Sequence, residues 1–568
     1  MLLICGQVNL ALGQHLIILG SPEDQKILKR YTVSVRQPDS SSVSLAINNL
    51  ISELHMDGYF TARAEHPIRK DTNHWEVRLL LGDRYEWAYL SAGNLDPILQ
   101  EKSGFRERFF LNRPFSYQDI KLLMERVLKA SEDEGFPFAS VQLAEIEMKG
   151  QQLQAEIYYQ PGPYITFGKL YIHGTDKVKA DFLATQLSIQ EGSAYSERKL
   201  QQISAKLRSL PYLTLEDTVD VRFQNDEAEL HLTLSDRESN QVDGLVNFLP
   251  NENEAGKVLL TGRAEIMLNN LMRSGKQFAL QWQRLQTASQ QLAIAYQHPY
   301  FLRTPLQTAF SFQLLKEDTL FLNRKLGLQF SFPLINSGSI GISTEWQTSS
   351  LLGEMPASAD PFSTQMSDFS TLNIALTFQY SKLDDVLFPS HGFYLSGSGG
   401  VGRKRIAAGA TESGKEKIWQ PYAQIAVRQY HPAGRLFTFY HRFSAAFIES
   451  ESLFLNELYR LGGIQSLRGF NDNFFFASYY ALSNFEARLV LEQERDEQSY
   501  LYVFYDQAWL GYKLAENKYN DTPAGLGAGI SFTTNAGVFN LAYALGKSKG
   551  NAWNLSLSKI HFGYISRF

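Results

Sequence analysis

The residue types that most often perform catalysis or bind metals are present, but they are not arranged to do either. The 11 histidines are scattered, and no two have a spacing suited to a metal ion. No serine or cysteine nucleophile stands with a histidine and a carboxylate in a recognisable pattern. Cys5 is the one cysteine, which excludes an internal disulfide framework and a thiolate metal site. The sequence therefore predicts no catalytic residue, no metal and no cofactor, and it argues against an enzyme.

Two alternating segments near the C-terminus offer a different chemistry, the binding of a guanidinium by carboxylates. Glu486 alternates with the apolar residues Phe485 and Ala487, and Asp506 follows Tyr505 in a second alternating segment. Successive side chains of a strand point to opposite faces, so an outward Phe485 and Tyr505 turn both carboxylates inward. Two inward carboxylates on neighbouring strands can bind one arginine in bidentate fashion.

Composition limits the elements that could position these groups. The chain has 568 residues, which predicts three or four folded units. A net charge of −5, with 20% charged residues, gives no basic field for nucleic acid. Aromatic residues reach 13%, a value typical of aromatic girdles at membrane interfaces, although composition alone favours a large soluble enzyme. No run of about 18 apolar residues occurs, which excludes an ordinary transmembrane helix.

The region 237–568 alternates between short amphipathic strands and turn-rich gaps. LNIALTFQY (372–380) and VFNLAYALG (538–546) are examples, and no long helical period intervenes. A membrane-spanning strand needs about 9–11 residues, so this region predicts a transmembrane barrel of about 16 antiparallel strands. In the last segment, KIHFGYISRF, the aromatic side chains Phe562, Tyr564 and Phe568 share one face, opposite His561 and Gly563.

A repeat runs through the first 240 residues. Three segments read as a helix, an aromatic turn and an alternating strand. They are residues 50–65, 127–142 and 206–221. Their turn aromatics, Tyr59, Phe136 and Tyr212, are 77 and 76 residues apart.

Each repeat is predicted to be a small α+β domain with the order strand, helix, helix, strand, strand. Ser116 and Ser196, 80 residues apart, are predicted helix N-caps. The helix that opens the first repeat, around residues 21–30, is weakly marked. The expected domains are residues 14–86, 87–163 and 164–236.

The first 13 residues, MLLICGQVNLALG, predict a signal peptide. They are apolar and end in Ala11-Leu12-Gly13, a small-x-small pattern typical of a cleavage site. The basic residues that normally open such a segment are missing, so its start is interpreted as clipped or misassigned; a buried strand is the alternative. Ile4 stands where a lipidation site needs a small residue, so lipidation of Cys5 is not predicted.

The most specific motif is Leu467-Arg468-Gly469-Phe470, preceded by a glycine pair. It closely resembles the (V/I/L)RG(F/Y) loop of the outer-membrane-protein assembly family, the bacterial surface antigen family, in which this loop folds back into the barrel lumen. Phe504-Tyr505-Asp506-Gln507-Ala508 resembles that family's Phe-x-Asp-x-Gly strand, with alanine replacing glycine, and Ser483-Asn484-Phe485-Glu486 resembles its strand with a lumenal glutamate. The resemblance implies that Arg468 binds Glu486 or Asp506.

Further motifs follow in the family's order. Asp384-Asp385, followed by Phe388-Pro389-Ser390-His391-Gly392, resembles its early-barrel hairpin, and His298-Pro299-Tyr300-Phe301 resembles its (N/D)PYF strand. The terminal Phe568 resembles its C-terminal insertion signal, although Ser566 stands where an apolar residue is usual. The helix-end Leu-x-x-x-Gly-Tyr-Phe and the Gly-x-x-Tyr linkers of the repeat resemble polypeptide-transport-associated (POTRA) domains.

The resemblance implies a non-enzymatic insertase or translocase in the bacterial outer membrane, with three POTRA domains in the periplasm. Its expected partners are nascent outer-membrane or secreted proteins, a periplasmic or inner-membrane protein bound through the POTRA domains, and outer-membrane lipid, but no nucleic acid. Clients would enter at a weakly paired seam between strands near 241–249 and 560–568, where Phe562, Gly563, Tyr564 and Phe568 lie. The layout is most similar to the translocation-and-assembly-module type.

Two alternatives remain open on the sequence. A two-partner secretion transporter for one exoprotein belongs to the same family, but it usually has two POTRA domains. A passive porin or receptor would instead leave Glu486 and Asp506 lining a wet channel, with Arg468 in an exposed loop.

Overall fold

The structure is a computed structural model that describes most of the chain. The described residues are 14–31, 36–37, 40–71, 74–250, 258–284, 289–334, 338–353, 365–406, 417–493, 498–514, 517–534 and 537–567. The predicted signal segment with Cys5, and the terminal Phe568, lie outside the described residues. The chain divides into two compact units: residues 1–169 with 191–200 and 221–229, and residues 170–190 and 201–220 with 230–568.

The N-terminal part consists of α/β domains. Its elements are β1 (Gln14–Leu19), α1 (Pro22–Leu28), β2 (Arg36–Gln37), α2 (Ser40–Met56), β3 (Arg63–Ala64), β4 (Ile68–Arg69), β5 (His74–Leu80), β6 (Glu86–Ser91), α3 (Pro97–Ser103), α4 (Tyr117–Glu132), β7 (Ser140–Lys149), β8 (Gln152–Gln160), β9 (Thr166–His173), α5 (Ala180–Leu187), α6 (Glu197–Arg208), β10 (Leu213–Leu215), β11 (Asp220–Gln224) and β12 (Glu227–Asp236). No helix among the described residues is long and apolar enough to span a membrane.

The first unit contains two complete small sheets. One has the order β2-β1-β5-β3, with β4 also on β5, and the other has the order β6-β8-β7. Helix α4 buries Ile120, Leu123 and Val127, spaced at helical intervals, against the second sheet's core around Trp87. Ser116 caps α4 by accepting a hydrogen bond from the Asp119 N–H, as the sequence predicts.

Two other helix starts also carry side-chain caps. Helix α1, which the sequence marks weakly, begins with a reciprocal capping box between Ser21 and Asp24. Ser196, the other predicted cap, precedes α6 and accepts a hydrogen bond from the Lys199 N–H at 3.4 Å.

The C-terminal part is one large antiparallel sheet that carries a small two-stranded insert. Its elements are β13 (Gln241–Pro250), β14 (Val258–Leu271), β15 (Lys276–Arg284), β16 (Gln290–His298), β17 (Gln307–Glu317), β18 (Phe321–Leu334), β19 (Gly338–Leu351), β20 (Phe369–Leu383), β21 (Gly392–Ile406), β22 (Lys417–Ala433), β23 (Phe437–Ile448), β24 (Tyr459–Leu461), β25 (Phe475–Ala477), β26 (Tyr479–Gln493), β27 (Gln498–Lys513), β28 (Lys518–Asp521), β29 (Ala524–Thr534), β30 (Gly537–Lys547) and β31 (Lys559–Arg567).

Within the described residues the barrel sheet is a meander of 17 strands, and β24 and β25 form a separate two-stranded sheet outside it. Strands β28 and β29 both pair with β27, one after the other, and Pro523 lies between them. They therefore occupy a single row of the sheet. A proline at this position interrupts the ladder because it has no N–H to donate.

Alternation along the barrel strands separates an apolar outer face from a polar inner face. On β20, Leu372, Ile374 and Leu376 are exposed, while Thr371 and Asn373 are buried. This is the expected distribution for a barrel whose outer surface contacts lipid.

The expected strand at His298-Pro299-Tyr300-Phe301 was wrong. β16 ends at His298, and the chain continues through a turn into a short 3₁₀ helix at Phe301–Arg303. Pro299 accounts for the boundary, because it cannot donate a ladder hydrogen bond.

Candidate functional site

The Arg468 guanidinium lies inside the barrel between two carboxylates of neighbouring strands. Its Nε and Nη2 donate to Asp506 Oδ2 and Oδ1 at 2.8 and 2.7 Å. Its Nη1 donates to Glu486 Oε1 at 2.6 Å, and its backbone N–H donates to Asp506 Oδ2 at 3.1 Å. Asp506 is completely buried, and the other two side chains are nearly so. Paired N–H donors on one carboxylate fix the orientation of the arginine as well as its position.

A second arginine balances the charge of this group. Arg488 donates from Nε and Nη2 to Glu486 Oε2, at 2.9 and 2.7 Å. Its guanidinium carbon lies 4.5 and 4.6 Å from the ring centres of Tyr440 and Tyr500. We call Arg468, Glu486, Asp506 and Arg488 the Arg468 cluster. Its two positive and two negative charges cancel, which is what burial of ions requires.

The loop between β24 and β25 holds Arg468 against the inner wall of the barrel, and two glycines, one in the loop and one in the wall, allow this close approach. Gly469 has a φ of +90°, and a Cβ there would lie 2.5 Å from the Leu545 carbonyl oxygen of β30. A Cβ on Gly525 of β29 would lie 2.2 Å from the Arg468 carbonyl oxygen. Glycine permits both the left-handed backbone and the close approach. The Gly469 N–H also donates to Nε2 of His561, on β31, at 3.4 Å.

Apolar packing, together with hydrogen bonds from wall side chains to loop carbonyls, holds the loop on both sides of Arg468. Leu467 and Phe470 are buried in a cluster that includes Leu482, Ala508 and Leu510 of β26 and β27. Ala508, which replaces the family's usual glycine, is 1% exposed. Other loop carbonyls are bound by side chains of the wall, because Arg442 donates to Gln465 O and Asn484 donates to Ser466 O, both at 2.7 Å.

The early-barrel motif forms the loop between β20 and β21. Asp384 accepts hydrogen bonds from the backbone of Ser390 and His391, at 3.0 Å each. Asp385 accepts from the N–H groups of Leu387 and Phe388 and binds Arg237 Nη1 at 2.6 Å.

The other two members of that motif complete the turn. Pro389 lies in the loop, and Gly392 begins β21 with a φ of +108°. Asp384, Asp385, Pro389 and Gly392 therefore shape one hairpin, which Arg237 connects to the chain just before β13. None of the four contacts the Arg468 cluster among the described hydrogen bonds and ion pairs.

The first and last barrel strands meet at a short seam. β13 and β31 pair only at Gln241↔Arg567 and Val242↔Ser566. On their other edges, β13 pairs with β14 from Gln241 to Pro250, and β31 pairs with β30 from Lys559 to Ile565. Most of the β13 edge that faces β31 is therefore unpaired within these described strands.

The predicted C-terminal residues lie on the seam strand β31. Phe562 is 47% exposed on the outer face, and Gly563 pairs with Asn540 of β30. The backbone of Tyr564 pairs with Phe539. The Tyr564 side chain and the terminal Phe568 are outside the described part of the chain.

Residues 270–568 match the family description "Omp85 superfamily domain". The match covers more than half of the chain. The chain belongs to the Omp85 superfamily. This places it among the outer-membrane β-barrel proteins of protein assembly and transport.

Individual Omp85 relatives are distant. The chain is 19% identical over 257 residues, 43% of its length, to the outer membrane protein assembly factor BamA of Neisseria meningitidis. It spans 31% of that protein, less than a third of its length. CdiB from Acinetobacter baumannii has a TM-score of 0.56 at 13% identity, covering 92% of this chain and 97% of that one. CdiB from Escherichia coli has a TM-score of 0.55 at 12% identity, covering 97% and 100%. At these identities the two structures show a shared fold.

This Omp85 barrel holds a second buried ion pair that sequence reasoning missed. Lys404 of β21 binds Glu457 from the segment between β23 and β24, and both side chains are essentially unexposed. Lys404 Nζ also donates to Ser452 O at 2.7 Å, and Gln420 donates to Glu457 Oε2 at 2.8 Å. The sequence offered one sign of this pair, a lysine at an inward position of an alternating strand, but the partner Glu457 lies 53 residues away.

Within the described parts of the Omp85 chain, no group of three or more His, Cys, Asp or Glu side chains is placed to hold a metal ion. The arrangement of charges inside the barrel instead fixes chain segments against the wall.

Proposed function

We propose that this chain is a non-enzymatic outer-membrane insertase or translocase. It would assist the assembly or export of outer-membrane proteins through the seam between β13 and β31. The observation that carries the proposal is the pairing of these strands at only two positions. An unpaired strand edge is normally an aggregation hazard, but it can also template an incoming client strand.

The Arg468 cluster supports this proposal by making the seam asymmetric. The loop contacts β29 and β30 through glycines and donates a hydrogen bond to His561 of β31. It makes no described hydrogen bond to β13. In the proposed mechanism β31 is held from inside, β13 moves away from it, and the client strand pairs with the exposed edge.

The N-terminal α/β domains are proposed to be three POTRA domains, at 14–86, 87–163 and 164–236, that lie in the periplasm. Their sheet edges would bind unfolded clients or a periplasmic or inner-membrane partner by strand addition. β7 is such an edge in the sheet of the second domain, because it pairs only with β8 within the described residues.

A transporter for one secreted exoprotein is the second candidate. This candidate function is supported by the fold that the chain shares, over nearly its whole length, with the two CdiB structures. Depletion of the protein separates the candidates. Loss of several unrelated barrels from the outer membrane supports the insertase, loss of one exoprotein supports the transporter, and a defect limited to solute uptake would indicate a porin.

The seam itself is tested by a reversible cross-link. In a Cys5→Ser background, Val242→Cys with Ser566→Cys joins β13 to β31 at one of their two paired positions. The matched control, Leu328→Cys with Thr344→Cys, joins β18 to β19 at a paired position away from the seam. The oxidised seam variant should lose client assembly and regain it with reductant, while the control stays active. Full activity of the oxidised seam variant would contradict a lateral route.

A further inference from the structure

Three cations cluster on the outer face of the barrel, at the end of β21 and the start of β22. Arg403 and Arg405 are both exposed and lie two residues apart on β21, so they share one face. Between them, Lys404 points inward to Glu457 inside the barrel, which fixes Arg403 and Arg405 on the outside. Lys417 is exposed and lies directly opposite Arg405 in the register. We call Arg403, Arg405 and Lys417 the Arg403 patch.

The patch lies just beyond the apolar surface that faces the membrane. Arg403 is in the same cross-strand row as Leu372 and Trp419, and Leu372 in turn pairs with Trp346. The two tryptophans are 65% and 53% exposed. Exposed tryptophans on the outer face are typical of the level where hydrocarbon meets the headgroups. The next row outward contains Arg405 and Lys417, at headgroup height.

No carboxylate offsets the charge of this patch among the described ion pairs. In contrast, the inward cations Lys404, Arg460 and Arg468 each bind a carboxylate. Like charges directly opposite each other on adjacent strands, as Arg405 and Lys417 are, destabilise the pairing. The patch therefore presents three exposed positive charges on the outer face, and guanidinium groups bind phosphate in bidentate fashion.

The direction of β21 decides which leaflet supplies the phosphate. β21 begins just after the loop in which Asp385 binds Arg237, at the end of the barrel where the chain enters β13. The patch lies at the opposite end. With the α/β domains in the periplasm, as in the proposed function, the patch faces the outer leaflet, where phosphorylated glycolipid is the main lipid of an outer membrane.

We propose that the Arg403 patch binds the phosphate groups of the lipid A headgroup. The inference rests on the proposed orientation of the barrel, and it requires no client protein. Bound lipid would neutralise the patch and hold β21 and β22 at a fixed height in the membrane.

The test compares lipid binding by purified full-length proteins. The variant is Arg403→Gln/Arg405→Gln/Lys417→Gln. The control is Lys382→Gln, an exposed residue of β20 at the other end of the barrel, paired with Phe393. Binding of lipid A in detergent is measured by native mass spectrometry, and heat-modifiable mobility on gels verifies that each barrel is folded. Each cation near a lipid surface contributes about fivefold, so the triple variant should bind about a hundredfold more weakly.

Two further lipids make the result specific. Dephosphorylated lipid A should bind the wild type as weakly as lipid A binds the triple variant, and phosphatidylglycerol should bind less well than lipid A. Equal binding of lipid A by wild type and triple variant would overturn the proposal, as would equal binding of lipid A and its dephosphorylated form. Equal binding of phosphatidylglycerol would overturn the choice of lipid A. If cross-linking fails to block client assembly while these lipid results hold, only the proposed function is lost.

Discussion

Two pairs of neighbouring barrel strands, β26–β27 and β13–β31, are joined in contrasting ways. β26 and β27 pair along almost their whole length, from Tyr479↔Gly511 to Gln493↔Gln498, and they carry the Glu486 and Asp506 carboxylates that bind Arg468. β13 and β31 share only two register pairs. One side of this region is thus fixed by backbone pairing, buried ions and apolar packing together, and the other is fixed by very little.

The difference indicates where movement is expected. The loop that carries Arg468 contacts β29, β30 and β31 from inside, through Gly525, Leu545 and His561. A strand held by an internal support and one neighbour is more rigid than a strand held by one neighbour alone. We therefore expect β13 to be the strand that leaves the seam, and the Arg468 cluster to keep β31 in place when it does.

The largest effect is expected from removing the central arginine. Arg468→Ala leaves the buried Asp506 and Glu486 carboxylates without one of their cations. Breaking a buried ion pair from one side costs about 3–5 kcal/mol. Urea unfolding of the purified barrel, followed by tryptophan fluorescence, should show this loss, and client assembly should fall with it. Arg324→Ala removes an exposed arginine of β18, outside both the Arg468 cluster and the Arg403 patch, and serves as the control. If the two substitutions changed stability equally, the Arg468 cluster would not stabilise the wall at β26 and β27 more than an exposed charge does.

A second test asks whether the other buried ion pair, between Lys404 of β21 and Glu457, stabilises the barrel in the same way. Lys404→Ala leaves Glu457 buried without its cation, at a cost of about 3 kcal/mol. The double substitution Lys404→Met/Glu457→Leu replaces the pair by apolar side chains of similar size and should restore most of the stability. Thermal unfolding of Lys404→Met, Glu457→Leu and the double variant measures the coupling. Additive losses would show that the two side chains do not act as a pair.

A smaller effect is expected at the turn of the loop. Gly469→Ala places a Cβ in a left-handed conformation and 2.5 Å from the Leu545 carbonyl oxygen. Such strain costs about 1–3 kcal/mol. The loop should shift away from β30, and urea unfolding of the purified barrel measures the resulting loss of stability. Gly434→Ala, also left-handed but with open space around its Cβ, separates strain from steric clash. Equal losses in the two variants would mean that contact with β30 contributes nothing.

The sequence predicts those parts of the molecule that repeat or alternate. Period-two alternation turns Glu486 and Asp506 to one face, and the Arg-Gly-Phe motif supplies the arginine that the structure brings between them. Ser116 is predictable as a cap because it precedes a clear amphipathic period.

The remaining features depend on partners that no local pattern identifies. Lys404 meets Glu457 only because the segment after β23 folds inward, and the contact leaves no periodic trace. The family resemblance predicts a weakly paired seam between β13 and β31, but the two positions at which they pair follow from the register of the whole sheet. At His298 the family motif suggested a strand, but the missing N–H of Pro299 ends it.

The smallest effect is expected at Ala508, where a substitution tests whether its methyl group helps to hold the Arg468 loop. Ala508 replaces the glycine that is usual in the family, and it packs at 1% exposure beside Leu467 and Leu510. Ala508→Gly restores the family residue but removes a buried methyl group and adds backbone freedom, so it should cost about 1 kcal/mol. Ala445→Gly, on β23 of the same barrel, gives the general cost of such a change away from the loop. A larger loss at Ala508 than at Ala445, measured by urea unfolding, would show that this methyl group helps to hold the Arg468 loop. A gain in stability at Ala508 would instead mean that the alanine crowds the loop, and that the wall near Arg468 is less well packed than its burial indicates.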